Sequence, residues 1–572
     1  FSPTGVAMTD YEITGYLMQA RSTTTGHLVT WRTALPDFTA LYWPGPGSPE
    51  FVACTVLAPS TGDLPVSVAP PVFAGISPSG GSELGGTFIT ITGTGFVDGL
   101  TVTIGGVQAH GNNSGPPSPP IVNGAGTEIT CYSPAGTGQV DVYIENPDAQ
   151  NVNASNAFGY FFQVDFAALA DGGISSAAFA TATGLTSFTR GSTSTCQVSS
   201  SALVAGIAND RACIGSVDGV KRGLWVVHNT KNLWGGSGDN SPRNLTGTDW
   251  QSGTGAMTGT YAAGPDGIAP GVGCSRANLA SGQYSAYVSG AGSGVATWSS
   301  WQRSKDASVN GDMQMGWISG TPGDGVQRIR AASDTWARLV LSSTARTYFA
   351  PADGRDYSAS GGQTPRARDV LVDYVMLNQG EFATPAIPVG GAYRKSDKAR
   401  GAIPTMGNRM RFYARFYPML ASSMSVAEHG TSTNGLSSAL YLFSASEGGS
   451  PDLYAYIDAT TKKLVVRVGG NQVGGAASNS QTSTNAMTFA MWDEVEILIE
   501  VGNAVASRAK WRVNGGSWND FVLATFALDA TPSQDCAIFY DDLGSDTGIQ
   551  GQFPCVLAEI RAYTTEITEA DL

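Results

Sequence analysis

A glycoside hydrolase needs two carboxyl groups flanking one bond, and Asp493-Glu494-Val495-Glu496 brings acids close together. On a strand, however, Glu494, Glu496 and Glu500 fall on one side and Val495, Ile497 and Ile499 on the other. That is the pattern of a solvated face over a core. The four histidines, His27, His110, His228 and His429, stand in different regions without i, i+4 or triad-like company. Neither a metal centre nor nucleophilic serine chemistry is expected of them. Asp541, Asp542 and Asp546 lie in a Gly-rich stretch and could hold calcium through hard oxygen ligands, against the plainer reading of an exposed acidic turn. For sugar, the feature wanted is an exposed aromatic beside an amide. Trp298-Ser299-Ser300-Trp301-Gln302-Arg303 fits best, so Trp298, Trp301, Gln302 and Arg303 are the candidate glycan residues. Their odd spacing puts the two indoles on opposite faces of a strand unless a turn intervenes. The plainer reading is one core and one interface tryptophan.

The elements that must position these residues read as strands. Gly is 73 of 572 residues, charged residues are 14% and hydrophobic residues 42%. Gly, Ser and Thr between short Val, Ile, Tyr and Phe runs indicate many strands joined by tight turns, with enough apolar side chain for several cores. Net charge is −14, which argues against nucleic-acid binding and against docking on anionic lipid. No apolar run reaches the ~18 residues of a spanning helix. The longest candidate, Asn485 to Asn503, is broken by Asp493, Glu494, Glu496 and Glu500. No membrane insertion is expected. No pattern of a charged stretch followed by an apolar one marks a signal peptide, and a start at Phe1 fits a processed segment. The seven cysteines form no C-x-x-C pair, so zinc is not expected. Most read as reduced core residues, as suits a cytosol. Cys196 with Cys213, or Cys536 with Cys555, could pair.

Along the chain, residues 1–69 read as a small β attachment segment, with an ordinary small β domain as the alternative. Pro70-Pro71 marks a boundary. In Phe88-Ile89-Thr90-Ile91-Thr92 polar and apolar residues alternate as in a half-buried strand. Gly93 and Gly95 are expected at positive φ, and Gly105-Gly106 is a hairpin signal. The phrases Ile76-Ser77-Pro78-Ser79-Gly80-Gly81, Gly85–Phe96 and Val102–Val107 resemble the IPT/TIG domain. That resemblance implies an immunoglobulin-like sandwich over 70–165, acting as spacer or protein contact. Residues 166–186 read as a linker.

From 187 to 390, short strands at even spacing point to a jelly-roll sandwich. The phrases Phe188–Thr195, Arg222–Leu233, Trp250, Gly264-Pro265-Asp266-Gly267, Trp336–Leu341 and Gly380–Pro388 resemble, in that order, a module of tailed-bacteriophage fibre and virion proteins. Its fold is similar to carbohydrate-binding modules. Val227-His228 replaces the module's usual paired Glu, and its closing Ser-Tyr is absent. Residues 391–402 read as a basic hinge. Over 403–572, Trp511-Arg512-Val513-Asn514-Gly515-Gly516 and the ending Ala558–Leu572 resemble laminin-G and concanavalin-A-like domains.

The fold expected is therefore all-β, a chain of β-sandwich domains. The resemblances imply a structural virion protein of a tailed bacteriophage: a fibre, spike or capsid decoration on the virion surface. It would contact other virion proteins through its N-terminal segment, form a homo-oligomer and adhere to a host-surface glycan. The alternatives are a secreted bacterial surface adhesin or polysaccharide-binding protein in an extracellular setting and, third, a glycan hydrolase. No enzyme activity and no cofactor other than calcium are expected.

Overall fold

The computed structural model describes residues 16–21, 28–33, 69–113, 116–228, 230–231, 243, 245–246, 253–267, 274–289, 295–305, 313–318, 327–330, 333–344, 348–354, 367–379, 384–387, 393–403, 409–420, 422, 439–447, 450–468, 479–502, 508–522, 536–540 and 553–563. They form a chain of β-sandwiches. Two compact units are distinguished: Phe1–Ser77 with Phe88–Tyr132 and Asp141–Ser155, and Pro78–Thr87 with Ser133–Val140 and Asn156–Leu572.

In the first unit, Tyr16–Arg21 and Leu28–Thr33 form an antiparallel hairpin. A four-stranded sheet runs Val72–Ser77, Phe88–Thr94, Glu128–Tyr132, Ile121–Val122. The alternation expected of Phe88–Thr92 is present: Ile89 and Ile91 are fully buried while Phe88 is 52% exposed. Ile129, Val102, Ile104, Val142 and Ile144 are equally buried. Gly105 and Gly106 take φ of 61° and 79° and close the hairpin between Thr101–Ile104 and Val107–Gln108. Gly95 also has positive φ, at 75°. Gly93 is needed for a different reason from the one expected. A Cβ there would lie 1.9 Å from the Val72 carbonyl oxygen, where the register of the two strands shifts.

The second unit holds two sandwiches, one inserted into the other. In the outer, base sandwich, one sheet runs Asn519–Val522, Arg508–Val513, Val495–Gly502, Arg409–Pro418, Cys555–Tyr563. Two strands share the far edge of Cys555–Tyr563. Phe161–Asp165 pairs with its last half and Arg222–Val226 with its first. Arg222–Val226 leads on to Arg211–Ser216 and Gly172–Ser175. The facing sheet has seven strands: Ser187–Thr189, Lys398–Gly401, Cys536–Ile538, Ala439–Glu447, Ser450–Asp458, Leu464–Val468 and Asn479–Thr482. Phe166, Phe179, Phe188, Leu224, Phe412, Phe416, Leu442, Ile497 and Trp511 belong to the apolar core of this sandwich.

The chain leaves the base along Thr230–Lys231 and returns along Tyr393–Arg394, and these two pieces pair antiparallel as a neck. Between them lies the inserted sandwich. Its five-stranded sheet runs Ala256–Ala262, Cys274–Leu279, Arg368–Gln379, Val295–Ser304, Ala337–Thr344. Its four-stranded sheet runs Val288–Ser289, Tyr348–Ala350, Met313–Ile318, Gln327–Arg330. A separate core holds Trp298, Leu339, Leu341, Phe349, Val370, Val372 and Leu377.

The sheet pairings and elements run across three of the expected boundaries. Ser187–Thr189, Arg211–Ser216 and Arg222–Val226 pair into the sheets of the base, so the strands of 187–390 are shared between two sandwiches and the base does not begin afresh at 403. The expected linker 166–186 is folded: Gly172–Ser175 is a strand and Ser176–Thr183 a helix. Ser175 caps that helix by accepting from Ala178 N–H, and Gly184 ends it at φ 69°. Phe179 and Leu185 anchor the segment in the core. Its small residues made it look featureless, but two apolar anchors suffice to dock so short a piece. The expected hinge 391–402 contains the neck strand Tyr393–Arg394 and the sheet strand Lys398–Gly401. Of its basic residues, Arg394 belongs to a buried ion cluster with Asp397.

Candidate binding surface

Trp298 and Trp301 do not form an exposed platform; both are fully buried. Val295–Ser304 is paired along both edges in the five-stranded sheet, so its side chains alternate between two covered faces. Trp298 stacks on Phe349 with centroids 4.0 Å apart. Trp301 packs on the opposite side in a cluster with Trp336 and Tyr374. Gln302 is also fully buried and donates to Ser300 Oγ at 3.1 Å and to the Pro351 carbonyl. Arg303 alone of the four is half-buried, its guanidinium 5.6 Å from the Trp336 ring centre.

A second aromatic pair with the same spacing behaves differently. Tyr284 and Tyr287 lie in a turn and bridge segment, not in a continuous strand. Gln283 N–H donates to the Ala280 carbonyl at 3.0 Å, with Gly282 at φ 81°. Gly354 N–H donates to Gln283 O at 2.8 Å, and Ser285 N–H to Ala352 O at 2.8 Å. Gly255 N–H donates to Tyr284 O at 3.1 Å. A Cβ at Gly253 would lie 2.1 Å from Ser285 O, so a glycine is needed for the chains to approach. Held this way, the two rings meet at 5.7 Å and 64°, and both are half-buried. They make a corner just before Val288–Ser289, the edge strand of the four-stranded sheet, next to the half-buried Gln283. Tyrosine combines an apolar face with a hydroxyl, the pairing that suits a sugar ring. The sequence signal was an aromatic i, i+3 pair preceded by Ser281-Gly282-Gln283, a turn and an amide.

The acidic strand is not a solvated face, contrary to expectation. Glu496 and Glu500 are 6% and 8% exposed. Glu496 accepts from Tyr413 Oη at 2.7 Å and is paired with Arg512. Glu500 pairs with Arg411 at 2.9 Å. Glu494 accepts from Tyr417 Oη at 3.1 Å. Glu559 lies between Arg415 and Arg561. Burial favours a raised Glu496 pKa, but the Arg512 and Tyr413 hydrogen bonds outweigh it and hold the carboxyl below its usual value. A general acid requires the opposite shift.

Three arginine-centred ion clusters involve Arg190, Arg222 and Asp266 from the phrases that carry the module resemblance. Arg190 and Arg394 share Asp397, at 3.2 and 2.7 Å, and all three are 1% exposed. Val227 N–H adds a bond to the same carboxylate at 2.9 Å. Arg222 reaches Asp171 at 2.6 Å and the Ala167 carbonyl at 2.7 Å. A Cβ at Gly223 would lie 2.1 Å from Leu557 O. Arg243 grips Asp266 at 2.9 Å and Asp373 at 2.8 Å, and Tyr374 Oη donates to Asp266 at 2.8 Å. Burial pushes the Asp373 carboxyl up to about 6, the Arg243 donors offsetting only part of the effect.

Cys196 and Cys213 are disulfide-bonded. Cys131, Cys274, Cys536 and Cys555 are buried thiols, so the Cys536–Cys555 pairing is not formed. Burial raises Cys131 to about 12. Among the described residues no group of three or more His, Cys, Asp or Glu side chains is placed to hold a metal. Asp541, Asp542 and Asp546 lie outside the described residues. No helix among those described is long and apolar enough to cross a membrane.

Residues 71–160 match the IPT/TIG domain family, so a domain of that family is present. No curated protein matches the chain. Among solved structures, SGBP-B from a complex xyloglucan utilization locus in Bacteroides uniformis covers 55% of this chain and 74% of its own, at 11% identity and TM-score 0.15. Mouse laminin alpha1 chain, domains LG4-5, covers 51% and 86%, at 10% identity and TM-score 0.19. TM-scores this low support no structural inference.

Proposed function

We propose that the chain is a non-catalytic adhesive protein that binds glycan at the Tyr284–Tyr287 corner of its inserted sandwich. The observation that carries this reading is that corner: two half-buried rings meeting at an angle beside an amide, pinned by backbone hydrogen bonds. Its test is retention of the full chain on polysaccharide affinity gels. Tyr284→Ala and Tyr287→Ala should each lower retention about tenfold, in line with the roughly 1.4 kcal/mol at the upper end for one aromatic contact. Retention unchanged in both variants refutes the site.

The finer reading is a structural virion protein of a tailed bacteriophage, supported by the ordered phrases around Arg190, Arg222 and Asp266. In it, residues 1–69 contact other virion proteins, the chain forms a homo-oligomer, and the glycan belongs to a host surface. Antibody labelling of purified particles in the electron microscope tests it; particles without label count against it. A secreted bacterial adhesin is the second reading, favoured by the Cys196–Cys213 disulfide, since such bonds persist in oxidising surroundings. Calcium at Asp541, Asp542 and Asp546 is a proposal checked by the change in melting temperature on adding a chelator. The hydrolase reading predicts reducing-sugar release lost in Glu494→Gln and Glu496→Gln; the ion-paired state of Glu496 speaks against it.

A further inference from the structure

The strand Ser194–Gln197 has four residues, and all four are buried. Each is tied to a different part of the second unit. Ser194 Oγ accepts from Arg394 Nε in the neck at 3.0 Å. Thr195 Oγ1 donates to the Ala386 carbonyl at 2.6 Å, just past the last strand of the inserted sandwich. Cys196 is bonded to Cys213 in the base sheet. Gln197 Oε1 accepts from Arg338 of the inserted sandwich at 3.4 Å. Its Nε2 donates to Val217 O at 2.9 Å, and its carbonyl accepts from Trp225 Nε1 of the base at 3.1 Å. Arg338 in turn donates to Ser299 Oγ at 3.0 Å and to the Thr384 carbonyl.

This short strand therefore staples the inserted sandwich to the base, beside the neck. Its own sheet is only a two-stranded hairpin with Leu203–Ile207, and such a hairpin is marginal alone. The hydrogen bonds that hold it each contribute modestly. The covalent tie is of a different kind, since it keeps Cys196 against the base whenever those bonds open.

We propose that Cys196–Cys213 is a redox fastener that sets how firmly the inserted sandwich is held. One thiolate of a small dithiol attacks one sulfur of the bridge, and the other leaves as a thiolate. The second thiol of the reductant then displaces the first cysteine. Two electrons and two protons end on Cys196 and Cys213, and the reductant departs as its cyclic disulfide. In thiol-rich surroundings the staple is held by hydrogen bonds alone; in oxidising surroundings it is locked. This inference is independent of the glycan reading, because it concerns the hold on the sandwich and not what the sandwich binds.

The test is amide hydrogen exchange on the full chain with and without dithiothreitol, the thiol count followed by alkylation and mass. Reduction should add two thiols. It should speed exchange at least tenfold in Ser194–Gln197 and Tyr393–Arg394. Val295–Ser304, Arg368–Gln379 and Cys555–Tyr563 should stay protected. The double variant Cys196→Ala, Cys213→Ala should behave the same way without reductant; if it does not fold, the reduced native chain supplies the reading. Three results overturn the proposal: a bridge that resists the dithiol under native conditions, unchanged exchange in the staple after reduction, or equal loss of protection throughout the unit.

Discussion

Two aromatic pairs three residues apart, Trp298/Trp301 and Tyr284/Tyr287, sit in the same sandwich and meet opposite fates. The tryptophans are on a strand hydrogen-bonded along both edges, so alternation sends one to each side and neighbouring layers cover both. The tyrosines are on a turn pinned to Ala352 and Gly354, so the same spacing brings the rings together at 5.7 Å with part of each exposed. Spacing gains a functional meaning only once the backbone period is known. The tryptophans stabilise the sandwich, and the half-buried tyrosines keep part of each ring at the surface.

The largest expected effect comes from the buried pair. Trp298→Ala removes a ring stacked on Phe349 and should cost about 3–5 kcal/mol in urea unfolding. Tyr284→Ala should cost well under that. Equal losses would erase the distinction. Next is Asp373, the buried strand partner of Trp301. The folded Asp373 carboxyl titrates at about 6, above the roughly 3.9 of an unfolded aspartate. Between those values the folded state holds a proton that the unfolded chain lacks. This contribution therefore weakens stability as pH rises from about 4 to 6, by on the order of 3 kcal/mol in all. Asp373→Asn should remove that part of the pH slope, measured as the difference in urea midpoint between pH 4.5 and 7. A variant slope equal to the parent's rejects the assignment.

Smaller is Glu496, whose pKa is depressed in the folded state. Its contribution is present above the unfolded value and fades as pH falls through the folded one. Glu496→Gln should cost about 1.5–3 kcal/mol at pH 7 and leave glycan retention untouched. Lost retention would move the site to the base sheet. Smallest in stability is Tyr287→Ala, expected to cost about 1 kcal/mol or less as a half-buried side chain while weakening retention.

Much of the fold was legible because strand alternation is a local property. Ile89 and Ile91, or Val495, Ile497 and Ile499, announce a buried side without reference to the rest of the chain. Asn-Gly is a local turn signal of the same kind, and Asn514 and Gly515 take positive φ, 52° and 66°. What was not legible is which sheet a strand joins. Phe188 and Leu224 read as parts of the central domain, yet they lie in the base core, because pairing partners more than 200 residues away set their place. The acid face misled for the same reason. Alternation showed that Glu496 points away from the core, but not that Tyr413 and Arg512 lie over it. The tryptophans were named as candidates by residue type, whereas burial depends on neighbours that the local stretch does not contain.

The most direct test is titration of the full chain and its Tyr284→Ala, Tyr287→Ala double variant with the polysaccharide that retains the parent most strongly. Trp298→Phe serves as the buried-pair control. The account predicts at least a hundredfold weaker binding for the double variant while it stays folded at the assay temperature, and near-parental binding for the control. Parental affinity in the double variant, or a loss confined to Trp298→Phe, would contradict it.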